Sequence, residues 1–150
     1  MKNPEKLGQQ VSNLLASQKL AVLATRTSRE PYANLVAFAE TSDLRAILFA
    51  TARTTRKFAN LSASPRVAML IDNRSNEAAD LRNAMAVSAT GICREIEDPE
   101  RKRFLGIYLA KHPYLREFAT APTCALMTIK VEKYSVVRRF QHVLEFSIEP

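Results

Sequence analysis

Short apolar runs separated by polar turn residues dominate the first half of the chain. Residues 20–27, 32–39 and 44–51 each have the length of a β-strand, and the turn sequences SREP and ETSD separate them. These connections are too short to hold a crossover helix, so we predict an antiparallel meander. A fourth strand is predicted over residues 66–72, RVAMLID, directly after Pro65.

Three other segments have helical features. Apolar residues at helical spacing predict a helix over residues 4–17, and a shorter helix is predicted over residues 54–63, ending before Pro65. The sequence Asp98-Pro99-Glu100 predicts the start of a third helix, with Asp98 as the N-cap and Pro99 in its first position. This helix is expected to end at His112-Pro113, where His112 has an ordinary capping role.

The remaining strands are predicted in the second half of the chain. One covers residues 84–97, with Gly91 as a bulge or bend, and two more cover residues 124–137 and 139–148. Six or seven antiparallel strands with two or three helices indicate a mainly β, α+β fold. A closed or partly open barrel is favoured over an open sheet because closure removes exposed strand edges.

Composition limits the class of protein. The 150 residues suit one compact domain, and no linker or repeat divides them. No apolar run approaches the roughly 18 residues that span a bilayer, and the first ten residues lack the apolar region of a secretory signal. We therefore expect a cytoplasmic protein. A net charge of +7 indicates an anionic partner: nucleic acid, an acidic membrane surface or a phosphorylated small molecule.

No catalytic or metal-binding set can be assembled from the sequence. Cys93 and Cys124 lack ligand spacing and are expected to be buried as small apolar residues. Glu95 and Glu97 share one face of a strand, where we expect them to be solvated. Catalytic residues therefore stay unassigned, and a bound cofactor would have to supply any chemistry.

The sequence FATARTTRKFANL, residues 49–61, places cations where a strand gives way to a helix. No Asp or Glu occurs between residues 44 and 71, whereas five cations do: Arg45, Arg53, Arg56, Lys57 and Arg66. A cation at a helix N-terminus costs about 0.3–1 kcal/mol, and a bound phosphate would reverse that sign. Alternatively, Thr54 or Thr55 is simply an N-cap and the cations are solvated. Composition leaves both interpretations open.

Glycine usage narrows the kind of phosphate site. The chain has three glycines, Gly8, Gly91 and Gly106, so neither a GxGxxG motif nor a P-loop is present. Any nucleotide phosphate must therefore be held by side chains and a helix terminus.

The run F-x-T-x-x-x-T-R-K of residues 49–57, followed by NLSASPRVAMLID, resembles the pyridoxamine 5′-phosphate oxidase-like FMN-binding split-barrel family. The upstream segment LAVLATRTSREPYANLVAF resembles the opening hairpin of that family, and the resemblance covers residues 14–97. It implies an antiparallel split β-barrel of six or seven strands, and a homodimer with two FMN sites at its interface.

The resemblance also implies roles for particular residues. Positions that hold the flavin phosphate and ribityl chain are occupied by Thr51, Thr55, Arg56 and Lys57, with Arg53 as an additional phosphate ligand. Positions that border the flavin ring are occupied by Asn34, Leu35, Val36 and Ala50. The second subunit would contribute Asn83, Phe140 and Gln141.

Departures from the family pattern shape the functional hypothesis. Members that oxidise pyridoxamine phosphate carry a C-terminal Trp and a following Arg/His arrangement, whereas this chain has no Trp and only Arg138, Arg139 and His142 nearby. We therefore expect an FMN oxidoreductase that passes electrons from a nicotinamide-type donor to another small-molecule acceptor or oxygen.

An alternative hypothesis is a non-catalytic flavin- or haem-binding carrier or sensor, with His142 as the candidate haem ligand. Nucleic-acid binding is disfavoured because the cations cluster at one junction and aromatics form only 7% of the residues. We expect neither a nucleic-acid nor a membrane partner.

Overall fold

The computed structural model describes residues 4–150; the first three residues, part of the stretch considered above for a secretory signal, lie outside it. One antiparallel sheet has the strand order β3-β2-β1-β4-β5-β6-β7. Its strands are β1 (Leu20–Arg26), β2 (Pro31–Glu40), β3 (Ala46–Ala52), β4 (Arg66–Asp72), β5 (Met85–Glu95), β6 (Cys124–Arg138) and β7 (His142–Ser147). A further pairing of β3 with β6 closes β1–β6 into a barrel, and β7 extends it. The prediction of an antiparallel split barrel is confirmed.

Within residues 4–150 five α-helices accompany the strands, two more than the highest number expected. They are α1 (Pro4–Ser17), α2 (Arg56–Ala63), α3 (Asp80–Asn83), α4 (Glu100–Lys111) and α5 (Arg116–Thr120), with a 3₁₀ turn over Pro113–Leu115. The N-cap prediction for Asp98 was wrong, because Pro99 occupies that position and no side chain caps the helix. His112 is the C-cap of α4, as predicted.

The core has two parts, one inside the barrel and one between its outer face and α4. Inside, large buried side chains alternate along the strands, among them Leu23, Phe38, Phe49, Met69 and Tyr134. Outside, Leu48 and Ala50 of β3 pack with Phe104, Tyr108 and Leu109 of α4. Both cysteines are buried and free, as expected.

Two details of the β-sheet bear on the site. The register of β5 against β6 shifts between Thr90 and Gly91, which confirms the predicted bulge. Strand β2 pairs with β3 only from Phe38 to Glu40, so its first half is hydrogen-bonded to β1 alone. No helix within residues 4–150 is long and apolar enough to cross a membrane.

Candidate functional site

The junction between β3 and α2 is built around two threonine hydroxyls. Thr55 is the N-cap of α2, and its Oγ1 accepts a hydrogen bond of 3.1 Å from the Phe58 amide. Thr51 is fully buried, with its Oγ1 3.0 Å from that of Thr55. The N-cap interpretation is therefore correct for Thr55, and both hydroxyls hold the backbone of the junction in place.

Arg56 and Lys57 occupy the first two positions of α2. Their backbone N–H groups have no acceptor within the helix, because an α-helix leaves its first amides unpaired. The Arg56 guanidinium carbon lies 5.2 Å from the ring centroid of Tyr32. Lys57 is partly buried, and this desolvation lowers its pKa. Two cations and two open amides thus converge at one helix end.

Arg53, unlike Arg56 and Lys57, forms an ion pair with a carboxylate from another strand. Its guanidinium donates hydrogen bonds of 2.8 and 2.7 Å to the two carboxylate oxygens of Glu95. Glu95 was expected to be solvated; its side chain is partly exposed but also paired, because β6 lies between β3 and β5 and brings Glu95 beside the junction. The hydrogen bond with Arg53 lowers the pKa of Glu95.

An open cleft of about 400 Å³ adjoins Arg56. It is lined by Thr27, Glu30, Pro31, Tyr32, Arg56 and Asn60. Sequence reasoning missed Tyr32 and Asn60; the signal for Tyr32 was its position at the start of β2, opposite the basic junction. Asn60 is buried, and its Nδ2 donates to Thr25 Oγ1 at 3.1 Å, which holds α2 against β1.

The four residues predicted to border a flavin ring do not share one surface. Asn34 and Val36 point toward the barrel interior, whereas Leu35 points outward and is 61% exposed. Ala50 is covered by α4. Asn34 has a further peculiarity: its side-chain oxygen Oδ1 is buried and has no hydrogen-bond partner within residues 4–150.

The residues predicted for a second subunit lie at the opposite end of the barrel. Asn83 precedes β5, whose first residue, Met85, pairs with Arg138, while its last residue is the Glu95 that contacts Arg53. Ten residue steps of strand correspond to roughly 33 Å. A single chain therefore cannot bring Asn83 to the basic junction.

This opposite end contains a basic cavity of about 630 Å³. Its lining includes Asn73, Arg82, Asn83, Arg138, Arg139 and His142, of which sequence reasoning missed Asn73 and Arg82. Phe140 and Gln141 form the adjacent β6–β7 turn, where Phe140 is 64% exposed and has a φ of 71°.

The two histidines lie in different surroundings, and neither belongs to a metal-binding cluster within the described residues. No group of three or more His, Cys, Asp or Glu side chains within residues 4–150 could hold a metal ion. His112 is buried, with its Nε2 2.6 Å from the carbonyl oxygen of Phe38. His142 lies beside the basic cavity, far from the junction.

The unpaired Oδ1 of Asn34 and the basic start of α2 can be compared with the chemical groups of a flavin nucleotide. Such a ligand carries a phosphate dianion at one end and hydrogen-bond donors along its ribityl chain. The start of α2 offers positive charge and backbone amides for the phosphate, and Asn34 offers an unused acceptor for the ribityl donors. The residues present fit the group.

Comparison with known sequences gives one family. The sequence profile described as pyridoxamine 5′-phosphate oxidase matches residues 7–138 of the chain. None of the curated proteins matches it.

Comparison with solved structures gives the same fold in proteins of different names. A heme binding protein from Mycobacterium smegmatis has a TM-score of 0.85 and 18% identity; the match covers 98% of this chain but 60% of that one. A Clostridium acetobutylicum protein of the pyridoxinephosphate oxidase family has a TM-score of 0.75 and 16% identity, with 97% of each chain covered. An FAD-binding protein from Mesorhizobium loti has a TM-score of 0.68 and 15% identity, with 85% and 90% covered.

Proposed function

The chain belongs to the pyridoxamine 5′-phosphate oxidase family, and from this premise we propose that it is an FMN-dependent oxidoreductase. Electrons would pass from a nicotinamide-type donor to a small-molecule acceptor or oxygen. The observation that carries the proposal is the start of α2, where Arg56 and Lys57 flank two open amides.

The phosphate of FMN belongs at this helix start. A dianion there accepts hydrogen bonds from backbone N–H groups and neutralises two side chains that otherwise oppose the helix dipole. Thr51 and Thr55 position the turn through their own hydrogen bond, and Arg53 joins the phosphate only by releasing Glu95. The flavin contributes hydride chemistry when bound, and the chain contributes binding, orientation and exclusion of water.

A homodimer with two FMN sites completes the proposal. Asn83, Phe140 and Gln141 cannot reach the junction of their own chain, but a two-fold axis could bring them to the junction of a second copy. An apolar row on the outer barrel face suits such an interface: Val22 pairs with Leu35 on one side and Leu70 on the other. Leu35 is 61% exposed and Leu70 is 39% exposed.

A second candidate function is a non-catalytic flavin or haem carrier or sensor. The Mycobacterium smegmatis protein named for heme binding favours it, although this chain spans only 60% of that protein's length. His112 is not the ligand of such a haem, because its Nε2 is directed at the Phe38 carbonyl, whereas His142, the candidate haem ligand, lines the basic cavity.

Visible spectroscopy of the purified protein, with FMN or haem added in separate titrations, tests the proposal. We expect a flavin band, and turnover with a reduced nicotinamide then distinguishes an enzyme from a carrier. The variant Arg56→Ala/Lys57→Ala should lose FMN while its circular dichroism stays unchanged. The control Arg66→Ala/Lys133→Ala removes the same charge from exposed ion pairs elsewhere and should retain FMN. Full FMN retention by the first variant would refute the phosphate assignment.

A further inference from the structure

The basic cavity at the end of the barrel opposite the junction is lined by cations without carboxylates. Within residues 4–150, no Asp or Glu belongs to its lining, which includes Arg82, Arg138, Arg139 and His142. Arg82 and Arg139 form no ion pair with the described residues. A cleft lined by one sign of charge concentrates ligands of the opposite sign, so this composition indicates an anionic ligand.

Three carboxylates on the neighbouring elements are engaged elsewhere. Asp72, at the end of β4, lies 3.0 Å from the Nε of Arg74. Asp80 of α3 accepts hydrogen bonds from three backbone amides in the preceding loop. On β7, Glu145 lies 3.7 Å from the Nζ of Lys133. None of the three lines the cavity, so its positive charge remains available to a ligand.

Two side chains of the cavity are held in place by the fold. Arg138 Nη1 donates to Gln10 Oε1 at 2.9 Å, which fixes one edge of the guanidinium. Asn73 Oδ1 accepts a hydrogen bond of 2.8 Å from the Met85 amide, so the other polar atom of this side chain is an N–H donor. Guanidinium and amide N–H groups at fixed positions suit the oxygens of a phosphate.

The β6–β7 turn places Arg139 at the cavity in an unfavourable backbone conformation. The φ angle is 49° at Arg139 and 71° at Phe140, values that residues other than Gly, Asn and Asp rarely adopt. Strained residues of this kind cluster at ligand-binding sites. The conformation of the turn therefore supports a role in binding.

The lack of a carboxylate distinguishes between the two nicotinamide dinucleotides. In other folds, sites for the unphosphorylated form bind the 2′-hydroxyl of the adenosine ribose through an Asp or Glu, whereas sites for the phosphorylated form use an arginine there. A carboxylate would repel a 2′-phosphate, and a guanidinium can bind it through two parallel hydrogen bonds. The basic cavity has the second composition, and its volume of about 630 Å³ suits a small molecule.

We propose that the basic cavity binds the 2′-phosphate of a nicotinamide dinucleotide through Arg82 and Arg139, so that the phosphorylated donor is preferred. The role of this dinucleotide as electron donor rests on the proposed FMN function. In the proposed homodimer the cavity adjoins the FMN site of the second copy, because Asn83 belongs to both. The phosphate of FMN itself stays at the start of α2.

Calorimetric titration with NADP⁺ and NAD⁺ tests the inference without turnover, because these two ligands differ only in the 2′-phosphate. The wild type should bind NADP⁺ about tenfold or more tightly than NAD⁺. In Arg82→Gln/Arg139→Gln the two affinities should agree within about twofold, while the melting temperature stays unchanged. The control Arg66→Gln/Lys133→Gln removes the same charge from exposed ion pairs and should keep the preference.

Equal affinity of the wild type for the two dinucleotides would overturn the inference, as would a preference that survives in Arg82→Gln/Arg139→Gln. An equal loss in the control would also overturn it, because net charge alone would then attract the ligand. Titration with FAD examines another source of an additional phosphate: weaker FAD binding by the cavity variant with unchanged NADP⁺ binding would overturn the inference. A wild type that prefers NADP⁺ but binds no FMN would uphold the cavity assignment and overturn the proposed function.

Discussion

Arg53 and Glu95 form a two-point ion pair across the outside of the barrel, with hydrogen bonds of 2.8 and 2.7 Å. The two residues are 42 positions apart and meet because β6 pairs with both β3 and β5. No Asp or Glu occurs between residues 44 and 71, the region that contains the junction. The fold brings Glu95 there from β5 to pair with Arg53, so Arg56 and Lys57 are the cations that remain at the start of α2.

Replacing Glu95 should therefore strengthen phosphate binding. In Glu95→Gln a negative charge near the junction is removed and Arg53 is released, so FMN affinity should rise roughly two- to five-fold. Fluorescence titration at low and high salt measures it, and high salt should reduce the gain. The control Glu132→Gln removes the exposed partner of Arg66 and should change nothing. Weaker binding by Glu95→Gln would show that the ion pair supports the site.

The gain in FMN affinity from Glu95→Gln should be lost at acidic pH. The hydrogen bond from Arg53 lowers the pKa of Glu95 below its usual value of 4.5. The wild-type carboxylate is therefore fully charged at neutral pH, and it becomes neutral as the pH falls through the lowered folded value. The ratio of the two affinities should be constant around neutral pH and fall toward one as the pH drops through that lowered value. Taking the ratio cancels the titration of the phosphate itself.

Local patterns in the sequence predict the strands and the basic junction, because each depends on neighbouring residues. RVAMLID becomes β4 with the same limits, and the bulge at Gly91 is confirmed. The partner of Arg53 could not be predicted, since it depends on which strands become neighbours when the sheet closes. The inward direction of Asn34 and the covering of Ala50 by α4 depend on packing in the same way.

Gly91 should be required for the bulge. A Cβ added there would overlap the backbone carbonyl of Lys130, and no flexible side chain can move to relieve it. Gly91→Ala should therefore lower the free energy of unfolding by on the order of 3 kcal/mol. Gly106→Ala is the matched control, because nothing lies within 4 Å of its added Cβ on α4. It should raise stability by about 0.5–1 kcal/mol. Urea unfolding measures both, and equal effects would contradict this account.

Lys111 and Glu40 form a largely buried pair that holds α4 against β2. The Lys111 Nζ donates to Glu40 Oε1 at 2.7 Å and to the Leu15 carbonyl at 2.8 Å. Burial lowers the pKa of Lys111, although the bond to Glu40 opposes this. Lys111→Met leaves a buried carboxylate unpaired and should cost about 3–5 kcal/mol in urea unfolding.

Adding Glu40→Gln to the Lys111→Met variant should recover part of that loss, because the unpaired charge is removed. Lys133→Met provides the exposed control, since its nitrogen lies 3.7 Å from Glu145 and both side chains are about half exposed. It should change stability by less than about 1 kcal/mol. A similar loss of unfolding free energy in the two lysine variants would show that burial of the Lys111–Glu40 pair does not determine its contribution to stability.

Leu70 should be decisive for self-association. It lies beside Val22 in the apolar row on the outer barrel face and is 39% exposed in the single chain. Leu70→Arg places a charge within the proposed interface, which disfavours burial, so sedimentation should shift from dimer to monomer. FMN affinity should fall by about tenfold or more, because the partner's contribution to the site is lost. Tyr114 lies outside this face and is 93% exposed, so the control Tyr114→Arg should leave the dimer and the FMN affinity unchanged. A monomeric wild type that binds FMN tightly would show that one chain forms the whole site.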